Sequence, residues 1–556
     1  MQNPPQVRIE RLSDPVFIRD RTDFVKRLND QLTASPFSTE ALLEYSSLLR
    51  KAGHASMSTR FAKQAQAVIA NDEGDWLKLG RCLYDGGEYV DAWAAFYRTV
   101  RLNTCAGEGH VGLARVCLKW KEYDLALAHL EEASTFIEPN GEFCVVTAKA
   151  LRACRRCDEA KAWAERAFLL NNDLESVVEF AHCLAENGAF DRSTDVLRQF
   201  VEQFPDIPEA YAGLSLMYLR RGLPAEASAV SIPALRAFPG NSELQFHAAW
   251  SELMVGNWES GWRYYESRWG LVANSYRDRF PTGQPPFAEW SGNRGTKGGT
   301  ILVTGEQGAG DVFMFSKTVP QLRKWFDRVV LLLDPSLCAL YECLSIGDEV
   351  RSIRNPIPRH EEHISIGSIP YRLGWKTIAD AVEIRAKVFR PEIPYHPLPS
   401  GDRPRVGFVW SGNDLGPNDS RGLSDEAAAI LVQDQRFLWV VLQKGFASIS
   451  PVKGACANVV SCGPWIADWL DTATILMQLD ALVAVDTGVA HLGGLLGLKT
   501  ITVLPPTSAD WRWLDPLVFP EWEDNAIWYE NMTLIRRREG LSSQQLAQMI
   551  GEALLA

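Results

Sequence analysis

The 556-residue chain has no long uninterrupted apolar run, no excess of basic residues and no cysteine pattern of metal-ligand spacing. Its least polar long stretch, 481–506, is broken by Asp486, His491, Lys499 and several glycines, which excludes a bilayer-spanning helix there. The first twenty residues carry Arg8, Glu10, Arg11, Asp14, Arg19 and Asp20, so no apolar core of a secretory leader can be drawn, and a soluble, cytoplasmic protein is expected. A formal net charge of −12 argues against a nucleic-acid duplex or an anionic membrane surface as the main partner. The eleven cysteines are scattered, several at apolar helical positions (Cys82, Cys117, Cys183). The one CxxC, Cys154 to Cys157, has no second ligand pair nearby, so reduced core thiols are expected and zinc is not.

Strand signals are scarce as well over the first half. From about Thr22 to Trp269 a period of roughly 34 residues runs instead. Trp76, Leu79, Gly80, Ala92 and Phe96 mark one repeat; Leu113, Ala114, Ala126, Leu130 and Ala133 the next; then Ala148, Ala160 and Ala167. Ala181, Ser193, Leu197 and Pro205 come next after a slip of one residue, and Tyr211, Leu214, Ala227, Ala234 and Pro239 close the series. Small residues recur where two helices must cross closely, and prolines end hairpins. The pattern resembles the tetratricopeptide (TPR) repeat. It implies about seven helical hairpins in a right-handed solenoid, whose concave face would hold a peptide or a protein. The last unit, Asn257 to Trp269, is too rich in aromatics and arginine for a solvated cap and is expected to be covered by the next domain of the chain.

After a Pro- and Gly-bearing linker (271–298) the period changes. Thr300–Thr304 reads as a strand, Gly305 to Asp311 as a glycine-rich turn, 312–325 as a helix, Arg328–Leu333 as a strand and 336–344 as a helix. A Pro-rich break at 391–404 precedes a restart: strand 405–410, loop 411–422, helix 424–433, strand 437–442, and a helix at 471–479 capped by Asp471 or Thr472. Ala481 to Gly493 then reads as strand, tight turn and helix, and 500–504 as a strand. Alternating strand and helix means parallel sheets with ligands at the strands' carboxyl ends. The expected organisation is an extension (1–21), an all-α TPR solenoid (22–270), the linker, and an α/β region of two Rossmann-like lobes, 299–396 and 397–556.

The turn after Val485 points free helix N–H groups and the positive end of a helix dipole at whatever lies above the strand. Gly488 admits an anion, Thr487 can donate to it, and His491 reaches the same side one turn on. The competing reading makes Thr487 a plain cap and His491 a core residue.

GEQGAGD (305–311), HISIGSIP (363–370), VGFVWSGN (406–413), LQKG (442–445), DWLDTA (468–473), DTGVAHLGG (486–494) and DWRWL (510–514) together resemble GT-B glycosyltransferases of the bacterial heptosyltransferase type, in the version fused to TPR repeats. The resemblance extends to TPR-bearing flagellin and protein O-glycosyltransferases. It implies a metal-independent enzyme without cofactor, a nucleotide-sugar donor (one phosphate or two), and transfer to Ser or Thr hydroxyls of a protein docked on the array. Flagellin, or a flagellar chaperone as docking partner, is the first candidate. Transfer to lipopolysaccharide or another glycan, and a non-catalytic scaffold with a vestigial transferase domain, are the alternatives.

Glycosyl transfer needs a base for the acceptor hydroxyl and positive charge at the leaving phosphate. Asp311 is the candidate base, the role the resemblance assigns to it; helix capping is the rival use. Ser411, Gly412, Asn413, Arg421, Lys444, Asp486, Thr487, Gly488 and His491 are candidates for holding the donor, and Gly308 and Gly310 form the first lobe's anion loop. Asp468 and Asp471 are candidates for ribose hydroxyls; Asp510, Trp511 and Trp513 are placed in the cleft wall, with core packing the favoured reading for Trp513.

Overall fold

A computed structural model describes residues 38–51, 55–69, 72–271, 288–292, 297–390, 398, 401–412, 421–444, 458–506, 510–514, 516, 519–538 and 540–556. The chain divides into two compact units, Met1–Leu197 and Arg198–Ala556.

The first unit is a run of helices, α1 (Thr39–Lys51), α2 (Ala55–Val68), α3 (Glu73–Asp85), α4 (Tyr89–Leu102), α5 (Gly107–Trp120), α6 (Tyr123–Ser134), α7 (Gly141–Ala153), α8 (Cys157–Asn171), α9 (Leu174–Glu186) and the first part of α10 (Phe190–Gln203). The repeat has a steric cause. A Cβ at Gly80 would stand 2.5 Å from the Phe96 ring and one at Gly112 only 2.4 Å from it. Ala92, Ala126, Ala160 and Ala164 are likewise fully buried where helices cross. Asp72, Asn140 and Asp173 each cap the helix after them by accepting a backbone N–H.

The second unit begins with two further hairpins, α11 (Pro208–Arg221), α12 (Pro224–Ala237), α13 (Ser242–Met254) and α14 (Trp258–Tyr265), and continues into two parallel sheets. The first has strand order β1-β5-β2-β3-β4, with β1 Ala288–Glu289, β2 Thr300–Thr304, β3 Arg328–Leu333, β4 Glu349–Ser352 and β5 Glu362–Ser365. The second has order β11-β10-β9-β6-β7-β8, with β6 Arg405–Val409, β7 Leu438–Val441, β8 Val459–Ser461, β9 Ala481–Val485, β10 Thr500–Leu504 and β11 Met532–Arg536. Order reverses between β2 and β5 in one sheet and between β6 and β9 in the other, so each lobe opens a crevice at the carboxyl ends of its central strands.

Several local expectations change. The helix expected over 312–325 is α15 (Ala309–Ser316) followed by a 3₁₀ turn, Val319–Lys324: Pro320 has no N–H to continue an α-helix. Helices α16 (Pro335–Leu344), α17 (Ile369–Arg372), α18 (Ile378–Ile384) and α19 (Asp425–Val432) follow. The helix expected from Asp471 starts two residues earlier as α20 (Trp469–Leu476), because Asp468 caps it and Asp471 completes a reciprocal capping box. The linker supplies the two-residue edge strand β1, paired with Glu362 and His363.

The last hairpin is not a cap on the array but part of the core of the α/β lobes. Trp258 and Trp262 are fully buried; Trp258 forms a three-ring cluster with Trp375 (6.1 Å) and Trp528 (6.0 Å), and Trp262 meets Trp511 edge-on at 5.4 Å. Just beyond α14, the fully buried Arg268 forms a two-pronged ion pair with Glu306, Nε to Oε2 at 2.8 Å and Nη2 to Oε1 at 2.7 Å. Its remaining donors reach Glu266 Oε1, Ser368 Oγ and the Tyr265 carbonyl oxygen. Glu306 also accepts the Gly367 N–H at 2.8 Å, so the pair has its hydrogen-bonding capacity filled from both sides.

Removing one member strands the other as a buried charge. Arg268→Ala is expected to lower unfolding stability by about 3–5 kcal/mol in denaturant titration. A loss below about 1 kcal/mol would mean that water reaches Glu306.

Candidate functional site

The turn after β2 is held from the array side. Gln307 adopts a left-handed backbone (φ 55°), and its amide Nε2 donates to the Tyr265 hydroxyl at 2.8 Å. Helix α15 then starts at Ala309. Asp311, in its first turn, accepts the Gly308 N–H through Oδ2 at 3.1 Å, so it does cap its own helix. Its other oxygen, Oδ1, faces the second lobe and is ion-paired to Arg512 Nη2.

From the second lobe, β9 ends at Val485 and α21 (Gly488–Leu496) begins two residues later. Thr487 occupies the N-cap position without capping: its hydroxyl donates backwards to the Val485 carbonyl at 3.1 Å. The first N–H groups of α21 therefore keep no side-chain acceptor from this residue and open onto the cleft.

The two turns meet. A Cβ at Gly310 would lie 2.9 Å from His491 Cδ2 and 3.4 Å from the Gly488 Cα, while one at Gly488 would lie 2.8 Å from the Trp469 ring. Glycine at both positions lets two helix N-termini, one from each lobe, approach the same space. That space is a cavity of about 800 Å³ lined by both turns and by the ends of β6, β7 and β9.

Of the donor-holding candidates, Ser411, Gly412, Arg421, Lys444, Asp486, Thr487, Gly488 and His491 line this cavity, as do Gly308, Gly310, Asp311, Asp468 and Asp510. Asn413 lies outside the described residues. Ser411 is oriented by its backbone N–H donating to Gln443 Oε1 at 3.1 Å. Asp468 spends Oδ1 on the Leu470 and Asp471 N–H groups, and Asp471 is committed to the Ala467 N–H. Trp511, expected in the wall, sits one layer behind it: the ring is buried against Trp262, Tyr265 and Trp528, and the cavity meets Arg512 instead. Trp513 stacks on His491 at 5.2 Å and 18°.

Among the lining residues not singled out from the sequence are Arg512, Trp469 and Gln443. Arg512 carries the most weight. Its Nη1 donates to Asp510 at 2.6 Å and its guanidinium lies 4.5 Å above the Trp511 ring, so a cation stands at the seam between the lobes. The signal was the charged residue between two tryptophans in DWRWL, a place where an unneeded arginine is costly to bury.

Electrostatics follow from burial. Desolvation, then the nearby Arg512 cation, lowers His491 to about 3, so the ring is neutral. Its Nδ1 lies 3.1 Å from the Tyr529 hydroxyl; with that hydroxyl donating, the proton sits on Nε2, 3.9 Å from Asp486. Burial, then the like charge of Asp510, pushes Asp486 up to about 6. Burial also raises Asp311, with Arg512 pulling partway back. Among the described residues no group of three or more His, Cys, Asp or Glu is placed to hold a metal ion, and no helix is long and apolar enough to cross a membrane.

Helical hairpins of the TPR type, followed by two parallel-sheet lobes with a cleft at their strand ends, define the class by fold alone: a TPR-type array joined to an α/β domain of two Rossmann-like lobes, the GT-B arrangement. No family model matches the chain. It is 34% identical over 122 residues to Protein FlbA of Caulobacter vibrioides, a match covering 21% of this chain and 20% of that protein, so it spans about a fifth of the curated relative. Among solved structures it is similar to YrrB, a TPR protein with an unusual peptide-binding site (21% identity, 33% of this chain and 95% of that one, TM-score 0.25). It is also similar to the E. coli ADP-heptose lps heptosyltransferase II (13% identity, 46% of this chain and 98% of that one, TM-score 0.34). The strand order and the hairpin period, rather than these alignments, define the fold.

The raised Asp486 has a measurable signature. Between the ordinary aspartate value and about 6 the folded state binds a proton that the unfolded chain has released, so stability falls as pH rises through that window. His491 acts oppositely: below the ordinary histidine value the unfolded chain takes a proton that the fold refuses, so stability falls as pH drops toward 3. Asp486→Asn is expected to raise the melting temperature at pH 7.5 and to leave it unchanged at pH 4, read by thermal unfolding at both. A gain of equal size at both would contradict the burial of an ionised Asp486.

Proposed function

We propose that this cleft transfers a sugar from a nucleotide-sugar donor to a Ser or Thr hydroxyl of a polypeptide docked on the helical array. The observation that carries the reading is the meeting of the two glycine turns. Two helix N-termini and Arg512 converge where a leaving phosphate would gather charge, and the carboxylate of Asp311 stands beside them. In the transfer step the acceptor hydroxyl gives its proton to Asp311 and its oxygen forms the new bond to the anomeric carbon. The bond from that carbon to the phosphate oxygen breaks, and its electron pair leaves with the phosphate. A carboxylate whose proton affinity is raised by burial suits this role at neutral pH. His491, neutral, would serve as a hydrogen-bond donor rather than as a cation.

A polypeptide acceptor is favoured by the way the array ends. Its last hairpin shares a core with both lobes and holds the glycine turn through Arg268 and Tyr265, so the end of a helical array of the kind that binds peptides belongs to the same unit as the reaction site. Flagellin is the first acceptor to try, on the resemblance alone.

The test is donor turnover with UDP-, GDP-, ADP- and CMP-linked sugars. Asp311→Asn is expected to lower the transfer rate by about 10²–10⁴-fold while nucleotide binding survives. Undiminished transfer by the folded variant would remove Asp311 as base. Failure of all four donor classes with the unsubstituted protein would favour the scaffold reading.

A further inference from the structure

Three cations line the cavity among the described residues: Lys444, exposed; Arg421, half-buried; and Arg512, whose side chain is 12% exposed. Arg512 reaches across the lobes, from the loop after β10 to Asp311 in α15. Its contacts leave Asp311 fully engaged, one oxygen on the guanidinium and the other on the Gly308 N–H. A carboxylate gripped by a guanidinium is a weaker base than the same carboxylate alone, because the cation favours its ionised form. In this arrangement the candidate base is therefore held back by its own neighbour.

A donor diphosphate seated at the open N-terminus of α21 shares the cavity with Arg512 and carries two negative charges to the carboxylate's one, while a single-phosphate donor matches the carboxylate in charge and adds acceptor oxygens. The planar guanidinium is a two-pronged partner for either anion. Arg512 would not have to travel far, since Asp510 and the Trp511 ring hold it in place. We propose that Arg512 is a ligand of the donor's phosphate and, before the donor arrives, a latch on Asp311. The incoming phosphate takes over the guanidinium and frees Asp311 to accept the proton of the acceptor hydroxyl. This rests on the glycosyl-transfer reading above, and it makes the donor the first substrate to bind.

The latch is a competition between two anions for one cation, so it is measurable without turnover. Isothermal titration calorimetry of the full chain with UDP, GDP, ADP and CMP finds the nucleotide that binds, and the variants are then compared on that probe. Arg512→Gln is expected to weaken it by about 10–100-fold, the range for losing a hydrogen bond to a charged group. Asp311→Asn, which removes the competitor, is expected to tighten it at least about threefold. That gain should vanish in the double variant. A gain that persists when Arg512 is already gone is a general charge effect and overturns the latch, as does no gain at all or unchanged binding by Arg512→Gln. Thermal unfolding checks each variant. If Arg512→Gln does not fold, Arg512→Lys keeps the charge and loses the fork, and the same pattern is expected with a smaller loss. Binding of none of the four probes by the unsubstituted protein would remove the glycosyl-transfer reading, and the latch with it.

Discussion

The buried pair between Arg268 and Glu306 is the constraint on which the site depends. Both charges are out of water, so each must keep its partner, and the backbone on either side is held to the geometry that lets them meet. Arg268 closes the last hairpin; Glu306 is the second residue of the glycine turn that aims α15 at the cleft. Tyr265 adds a hydrogen bond to Gln307, whose left-handed backbone needs such support. The end of the array is thus a structural member of the anion loop. Residues 208–265 accordingly pack with the α/β lobes in one unit rather than ending at the linker.

From that anchor the rest is built by contact. With α15 fixed, Gly310 can meet Gly488 only because neither carries a side chain, and the meeting places Asp311 opposite Arg512. A second tie lies at the far end of α15, where the buried Lys317 ammonium donates to the Arg385 and Trp528 carbonyl oxygens at 2.6 and 2.9 Å. Burial pushes that lysine down to about 7, which leaves this cross-lobe tie sensitive to pH near neutrality. The two lobes are therefore joined by a glycine contact and an arginine bridge at the cleft and by a buried lysine tie away from it.

Local patterns made some of this legible and non-local partners hid the rest. The run Ala481 to Val485 is apolar at every position and is followed by a glycine-bearing turn, so strand, turn and helix could be read directly. The helical period was equally plain, because small residues recur wherever hairpins cross. The helix expected through 325 failed at Pro320, a local signal that the apolar run around it masked. Edge strand β1 has two residues and no pattern of its own; it exists because Glu362 and His363 offer it partners. Arg268 stood out as an arginine among aromatics, but its carboxylate lies 38 residues on, and Asp311 lies 201 residues from Arg512, separations that no spacing rule spans. The exchange of Trp511 for Arg512 in the cavity wall has the same origin. Alternate residues of a short 3₁₀ turn face different ways, and only the packed hairpin decides which of them faces inward.

The most direct test of the central claim, that this cleft glycosylates a protein, is intact-mass spectrometry of flagellin and total soluble protein from cells carrying either the unsubstituted gene or its Asp311→Asn allele. The account predicts that one protein loses a discrete sugar mass in the variant while the variant itself accumulates folded. Unchanged protein masses together with an altered lipopolysaccharide profile would contradict it and assign the cleft to a glycan acceptor.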